Sequence, residues 1–219
     1  TGTQEQVRAK STELFKMITD PHVPQCILLT GFAVKAVSQC ETQTLSLNSI
    51  AFALAHVIVL VTSQVPIAMD LVLAELHKSC IFTVPKYIPY SKVCGMVNYG
   101  VATRARCMEA CCYWQQIWLQ IAFESENAYY KTVGYREDNG KIESTDNYLA
   151  RMKAYVTLYA AIIQTDIPGV NNLHGVKDGW SWMARFLNAL PPNRFTAAAL
   201  EIFLKIAGFR LYQAYPRPF

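Results

Sequence analysis

Cysteine, histidine and closely spaced aromatic residues are the side chains here most able to do chemistry, and their spacing sets the first limits. Seven cysteines occur, four of them at Cys94, Cys107, Cys111 and Cys112. The string Cys107-x-x-x-Cys111-Cys112 lacks the paired Cys-x-x-Cys and the histidine partners of a structural zinc site, so no metal centre is expected. An odd number without regular spacing does not describe a disulfide scaffold either, and a reducing compartment suits it better. No His-Glu-x-x-His, Gly-x-Ser-x-Gly or Gly-x-x-x-x-Gly-Lys-[Ser/Thr] string is present, so metalloprotease, hydrolase and nucleotide-cradling chemistries are not signalled. His174 precedes Gly175 in an expected loop, where a turn or cap role fits. Trp180 and Trp182, two apart on a helix, cannot share a face, so at least one belongs in the core. Tyr148, Tyr155 and Tyr159, spaced by seven and four, form one helical stripe of ordinary core residues.

Composition narrows the classes further. Apolar residues are 52% and charged residues 16% of the 219, against about 25% charged in an average globular protein, which implies an extensive buried core and excludes disorder for most of the chain. Twenty Lys and Arg against sixteen Asp and Glu leave a net charge of +4. That is too little for a nucleic-acid coat, and any anion site must be local; no direct sequence-specific nucleic-acid partner is expected. The most apolar run, Ile50 to Val61, carries His56 and falls well short of the roughly 20 residues that span a bilayer, so it reads as a buried core helix. The N-terminus shows neither an initiator Met nor a secretory signal pattern, and the chain reads as a fragment of a longer protein.

The elements that must position these groups are helical. Apolar residues recur at three and four through Val7, Leu14, Met17 and Ile18, and again through Cys26 to Val37, giving two opening helices. Ser46 to Thr62 is of helical length, although Val57-Ile58-Val59 makes a strand conceivable. Pro66 to Ser79 starts on a proline, which a first helical turn tolerates because that N–H has no partner there anyway. Pro85 and Pro89 make 83–90 a surface loop. Ser144, Thr145 and Asp146 offer caps for a helix over Tyr148 to Gln164 that ends before Pro168. Trp180 to Leu190 and Thr196 to Tyr215 form the last two helices, stopped by Pro191 and Pro216. The fold class expected is all-α, an array of antiparallel helix pairs of the HEAT or armadillo kind.

Gly134-Tyr135-Arg136, Arg151-Met152, Leu158 to Gln164, His174-Gly175 and Gly179-Trp180-Ser181-Trp182, in that order and spacing, resemble the C-terminal domain of the Gle family of messenger-RNA export mediators. Upstream, Cys80-Ile81-Phe82-Thr83-Val84-Pro85 resembles the family's Cys-Pro-hydrophobic loop, and Gln39-Cys40-Glu41-Thr42 its Gln-x-Glu-Thr segment. The likeness covers nearly the whole chain, as a single domain over 1–219. It implies a HEAT-like, non-enzymatic domain at the cytoplasmic face of the nuclear pore, shared between nucleus and cytoplasm. Such a domain binds inositol hexakisphosphate as a regulatory ligand, activates a DEAD-box RNA-dependent ATPase and docks an FG-type nucleoporin, with no membrane insertion.

A polyphosphate needs several cations converging from separate elements, because only a cluster of charge-assisted hydrogen bonds outweighs lost hydration. Carried over by position, the resemblance assigns Lys35 in the second helix, His77 and Lys78 at the end of the Pro66 helix, and Arg151 of the Arg-Met pair. The dipole of the Pro66 helix also favours cations at its end. Lys10, Lys16 and Lys153 are weaker candidates, readable as solvated charges. A helical peptide-binding scaffold without polyphosphate dependence is the alternative; an enzyme using the cysteine cluster or His174 has no positive support.

The chain departs from the family at two places. Family members continue for several helices beyond the position of Tyr215, so the array is expected to be truncated at its C-terminal end. Val93 to Gln120 has no counterpart, and it holds four of the seven cysteines and two of the four tryptophans. Val93-Cys94 can be encoded by GTATGT, a splice-donor sequence, and Gln120 by the acceptor-like CAG. This segment is expected to be a retained intron; the other reading is a genuine helical insertion packed through Ile117, Trp118 and Ile121. Genomic and messenger sequences across it decide: GT opening the Val93 codon, AG closing the Gln120 codon and a spliced message joining Lys92 to Ile121 are expected, and any other bases at those ends would sink the intron.

Overall fold

The computed structural model describes residues 4–41, 47–88 and 125–216, so the segment 93–120 lies outside the described residues. Eight helices and one two-stranded ribbon occur among them: α1 Gln4–Ile18, α2 Gln25–Ser38, α3 Leu47–Gln64, α4 Ile67–Ser79, α5 Glu126–Val133, β1 Glu137–Asp138, β2 Lys141–Ile142, α6 Thr145–Gln164, α7 Val176–Ala189 and α8 Arg194–Ala214. The fold is all-α, as the apolar periodicity implies. The chain divides into two compact units, one of residues 1–86 with 145–219 and one of 87–144.

In the first unit α6 is the centre. Every residue from Ala154 to Ile163 is buried, together with Tyr148, Leu149 and Met152, and a helix apolar all round must be walled on all sides. The walls are α3 and α8 first, with α7 and α4 closing the rest. α1 packs on α3 and α2 on α4, so α1, α3, α6 and α8 form one row of the array, while α2 lies on α4 in a second. Ile18, Leu29, Val61, Val65 and Ala68 join α1, α2, α3 and α4 in one cluster. Only Val65 and Pro66 connect α3 to α4. Pro66 takes helical angles there (φ −55°, ψ −39°), so the ring leads the chain into the helix.

α7 starts at Val176, four residues before the expected start at Trp180. Asp178 accepts a hydrogen bond from the Gly175 N–H at 3.1 Å, which satisfies one orphan donor of the first turn. Asn193 likewise accepts from the Phe195 and Thr196 N–H groups, and Thr196 returns the bond to the Asn193 N–H, opening α8 with a reciprocal cap. Past the end of α6, the Asn172 amide donates to the Ile162 and Thr165 carbonyls at 2.8 and 3.0 Å.

The second unit contains α5, capped by Ser125 accepting from the Ala128 N–H, and the ribbon, in which Glu137 pairs with Ile142 and Asp138 with Lys141. Asn139 and Gly140 turn the ribbon with φ of 49° and 77°, the left-handed pair of a tight hairpin. This hairpin was not expected from the sequence, yet the Asn-Gly dipeptide is its ordinary signature.

α7 approaches α6 at Gly179, where a Cβ would lie 2.6 Å from Ile163 Cγ2. Glycine inside a helix ordinarily costs up to about 1 kcal/mol relative to alanine, so Gly179→Ala would stabilise an open site. At this contact the sign reverses, and a loss of about 1–3 kcal/mol from overpacking is expected, read as a lower denaturation midpoint in urea at unchanged slope.

Candidate functional site

One stripe of α6 gathers the ends of two other helices. Arg151, Tyr155 and Tyr159 follow at four-residue steps and therefore face one way. The Tyr155 hydroxyl donates to the Glu41 carboxylate, just past the end of α2. Tyr159 stands 6.4 Å, ring to ring, from His77 in the last turn of α4. Arg151 acts electrostatically on the Cys80 thiol, the residue that follows α4. The C-terminal turns of α2 and α4 thus converge on the stretch of α6 from Arg151 to Tyr159.

The assigned cations sit on these turns. Lys35 is exposed in the last turn of α2, beside the buried Ala33, Ala36 and Val37, which is the boundary of the apolar face. Lys78 is exposed and bonded to Glu75 at 3.3 Å, and His77 is half-buried beside it. Arg151 is half-buried, its guanidinium carbon 5.7 Å from the centre of the Tyr148 ring, a cation–π placement that also orients the fork. The weaker candidates lie elsewhere. Lys10 is bonded to Glu13 on α1 at 2.7 Å, Lys16 lies in the last turn of α1, and Lys153, two residues from Arg151 and so on another face, acts on Glu201 of α8.

The loop after α4 is held from below. Cys80, Phe82 and Thr83 are buried. The Trp182 indole N–H donates to the Phe82 carbonyl at 2.9 Å, while the ring packs on Phe203 and Phe186 at centroid distances of 4.0 and 4.7 Å. Trp182 is therefore the core tryptophan, and Trp180 packs on Tyr215. Thr83 donates to the Cys80 carbonyl at 2.8 Å and lies 3.0 Å from His77 Nδ1. Beyond Tyr159, His174 Nε2 is 3.1 Å from the tyrosine hydroxyl and its Nδ1 is 4.0 Å from Asp178. Sequence reasoning assigned His174 a turn or cap and gave Tyr159 no function; the structure makes the two one polar row with His77. The helical stripe placed Tyr159, but no local signal gives its partners.

Burial holds the imidazoles of both His77 and His174 below the ordinary histidine range, and their mutual repulsion adds to this at His77. Burial also pushes the Cys80 thiol up to about 12, against the pull of the Phe82 and Thr83 backbone and of Arg151, so this cysteine stays a neutral thiol and is no nucleophile. Cys40 is pushed to about 12 in the same way. No convergent group of three or more metal-binding side chains occurs among the described residues, and no described helix is long and apolar enough to cross a membrane.

A two-row array of antiparallel helices with cations at the ends of α2 and α4 defines the α-solenoid class of protein. Its relatives are specific. The family model described as GLE1-like protein matches residues 1–100 and 98–219, and the chain belongs to that family. The chain is 35% identical to the mRNA export factor GLE1 of Arabidopsis thaliana over 100% of its length. It is 33% identical to that of Danio rerio over 95%, and it spans 27% and 26% of those two relatives. Among solved structures, Gle1 of S. cerevisiae bound to the Dbp5 C-terminal domain and IP6 superposes with a TM-score of 0.72 at 20% identity. That match covers 98% of this chain and 65% of the other and confirms the fold.

The two imidazoles make stability depend on pH. Unfolding returns each histidine to its ordinary value near 6.5, so below that pH the unfolded chain binds more protons than the folded one. The contribution to stability is complete above pH 6.5 and is lost as pH falls from there through the folded values. Melting temperature is expected to drop between about pH 7.5 and about pH 5.5, and the drop should shrink in the double variant His77→Gln/His174→Asn. An unchanged slope in that variant would place the titration elsewhere.

Proposed function

We propose that this domain is a non-enzymatic regulator of messenger-RNA export that binds inositol hexakisphosphate on the edge formed by Lys35, His77, Lys78 and Arg151, and in that state engages and activates a DEAD-box RNA-dependent ATPase. The observation that carries the reading is the convergence of the α2 and α4 ends on the Arg151–Tyr155–Tyr159 stripe. Cations from three elements then meet a ligand whose phosphates project in several directions, as a rigid polyanion requires. Family membership and the IP6-bound structure of the yeast relative support the ligand, and the Dbp5 chain in that same structure supports the partner.

Inositol hexakisphosphate acts here as a tether, its charge shared between this edge and basic residues of the ATPase. Each binding event then strengthens the other by the same factor. Activation follows where the adaptor prefers the ATPase conformation that releases RNA or product, because a ligand moves an equilibrium only through differential affinity. The same reading places the domain at the cytoplasmic face of the nuclear pore, passing between nucleus and cytoplasm, with an FG-type nucleoporin as second partner. Lys10, Lys16 and Lys153 tune the surrounding field without touching the ligand.

A helical peptide-binding scaffold independent of polyphosphate is the second reading, favoured by the exposed Ile27 and Val34 on α2. Calorimetry at physiological salt separates the two. The intact chain is expected to bind inositol hexakisphosphate, and Arg151→Ala and Lys78→Ala each to weaken it about ten- to a hundredfold, the worth of one charge-assisted hydrogen bond. Affinity should fall steeply with added salt. A folded chain that retains no polyphosphate leaves the scaffold reading in its place.

A further inference from the structure

The row His77, Tyr159, His174 and Asp178 holds two imidazoles where apolar side chains would pack as well, and its hydrogen-bond directions are readable. Thr83 Oγ1 has one proton and gives it to the Cys80 carbonyl at 2.8 Å. With the carbonyls of Cys80 and, at 3.2 Å, of Leu76 to take that proton, His77 Nδ1, 3.0 Å from the same oxygen, is assigned as the donor to it. The neutral ring is then fixed as the Nδ1–H tautomer, and Nε2 is the nitrogen able to gain a proton.

The charges around His77 come from four directions. On α4, Glu75 and Lys78 are bonded to each other. In the following loop Cys80 is a neutral thiol beside the Thr83 hydroxyl. On α6, burial keeps the Tyr159 phenol protonated, with Arg185 of α7 pulling the other way, and Arg151 lies two turns back on the same stripe. From the α7 side come His174 and Asp178, and the latter is engaged with the Gly175 N–H. At His77 burial and then His174 oppose an imidazolium in the free protein, while Asp178 favours one only at His174, against burial there. A polyanion at Lys78 and Arg151 supplies the missing negative charge.

We propose that polyphosphate binding on this edge is coupled to the uptake of one solvent proton at Nε2 of His77, with Thr83, Tyr159 and His174 as positioning residues, so that the ligand is held more tightly as the medium becomes more acidic. This rests on the polyphosphate reading above. The proton enters from bulk water as the ligand docks and returns there when it leaves; no bond other than N–H forms or breaks. By linkage, the factor by which the bound anion favours the imidazolium is the factor by which protonation favours the anion. Two adjacent imidazoliums would repel, so only one forms, and His77 is the one next to Lys78, where the anion docks.

Calorimetry of the 219-residue chain with inositol hexakisphosphate, in two buffers of different ionisation enthalpy near neutral pH, counts the protons taken up. His77→Gln is expected to take up fewer by as much as one, whereas His174→Asn, which removes the imidazole that opposes the charge, should still take up a proton. Above the free histidine's value, the affinity ratio of unsubstituted chain to His77→Gln should rise by up to tenfold per unit of falling pH. The ligand's own titration is common to both and cancels. If His77→Gln is unfolded by circular dichroism, the His77 imidazole proton resonance of the unsubstituted chain serves instead and should move to the imidazolium position when ligand is added. Equal uptake in both proteins, uptake lost in His174→Asn alone, or an unmoved resonance overturns the proposal while leaving polyphosphate binding intact. A folded chain that binds no ligand in either buffer defeats the polyphosphate reading itself, and this inference with it.

Discussion

The burial of α6 on all sides is the constraint from which the rest follows. A helix whose residues from Ala154 to Ile163 are all removed from water gains from apolar contact on every face and tolerates a polar group only where a partner is supplied. The array therefore closes round it, with α3 and α8 flanking and α4 and α7 filling the remaining sides. Tyr155 on it is met by Glu41, Tyr159 by His174, and the Ile162 carbonyl of its last turn by Asn172. Two of those partners are where α6 touches the edge that carries the cations, so a packing requirement and the basic edge share the same hydrogen bonds.

That sharing fits the place of Lys35, His77 and Lys78 in last turns, while Arg151 lies within α6. One face each of α2 and α4 is taken up by the other and by the core. Their last turns, where the dipole favours positive charge, reach the surface beside Arg151. The loop from Cys80 to Pro85 is kept in place by a tryptophan hydrogen bond and by Thr83, so the basic turn preceding it is presented on a rigid base. Preorganisation of this sort lowers the ordering cost that binding a polyanion incurs.

Much of the fold was legible in sequence because helices announce themselves by period and by their stops. Pro66 opened α4 where expected, and the β-branched run at Val57 to Val59 proved helical because the segment is long and buried. The start of α7 was misjudged. Gly179 weakens its helical pattern, but that glycine is dictated by a neighbour, Ile163, which no local rule reveals. The short ribbon was missed for want of weight given to Asn139-Gly140. At the site, the family likeness supplied the cations and the helix ends they occupy. The pairs Tyr155 with Glu41, His77 with Tyr159 and Trp182 with Phe82 were not readable, since periodicity says which residues share a face and never which face they meet.

The Trp182 bond to Phe82 spans 100 residues of sequence, and this separation gives the edge a place in time as well as in space. During synthesis the chain emerges from its N-terminus, so α1 to α4 leave the ribosome with Lys35, His77 and Lys78 already made while the loop that follows them still has no anchor. Arg151 arrives next, and the tryptophan later still. The basic edge is accordingly incomplete until α7 has emerged, and a chain interrupted before α7 carries the basic helix ends without the tryptophan that anchors the loop beside them.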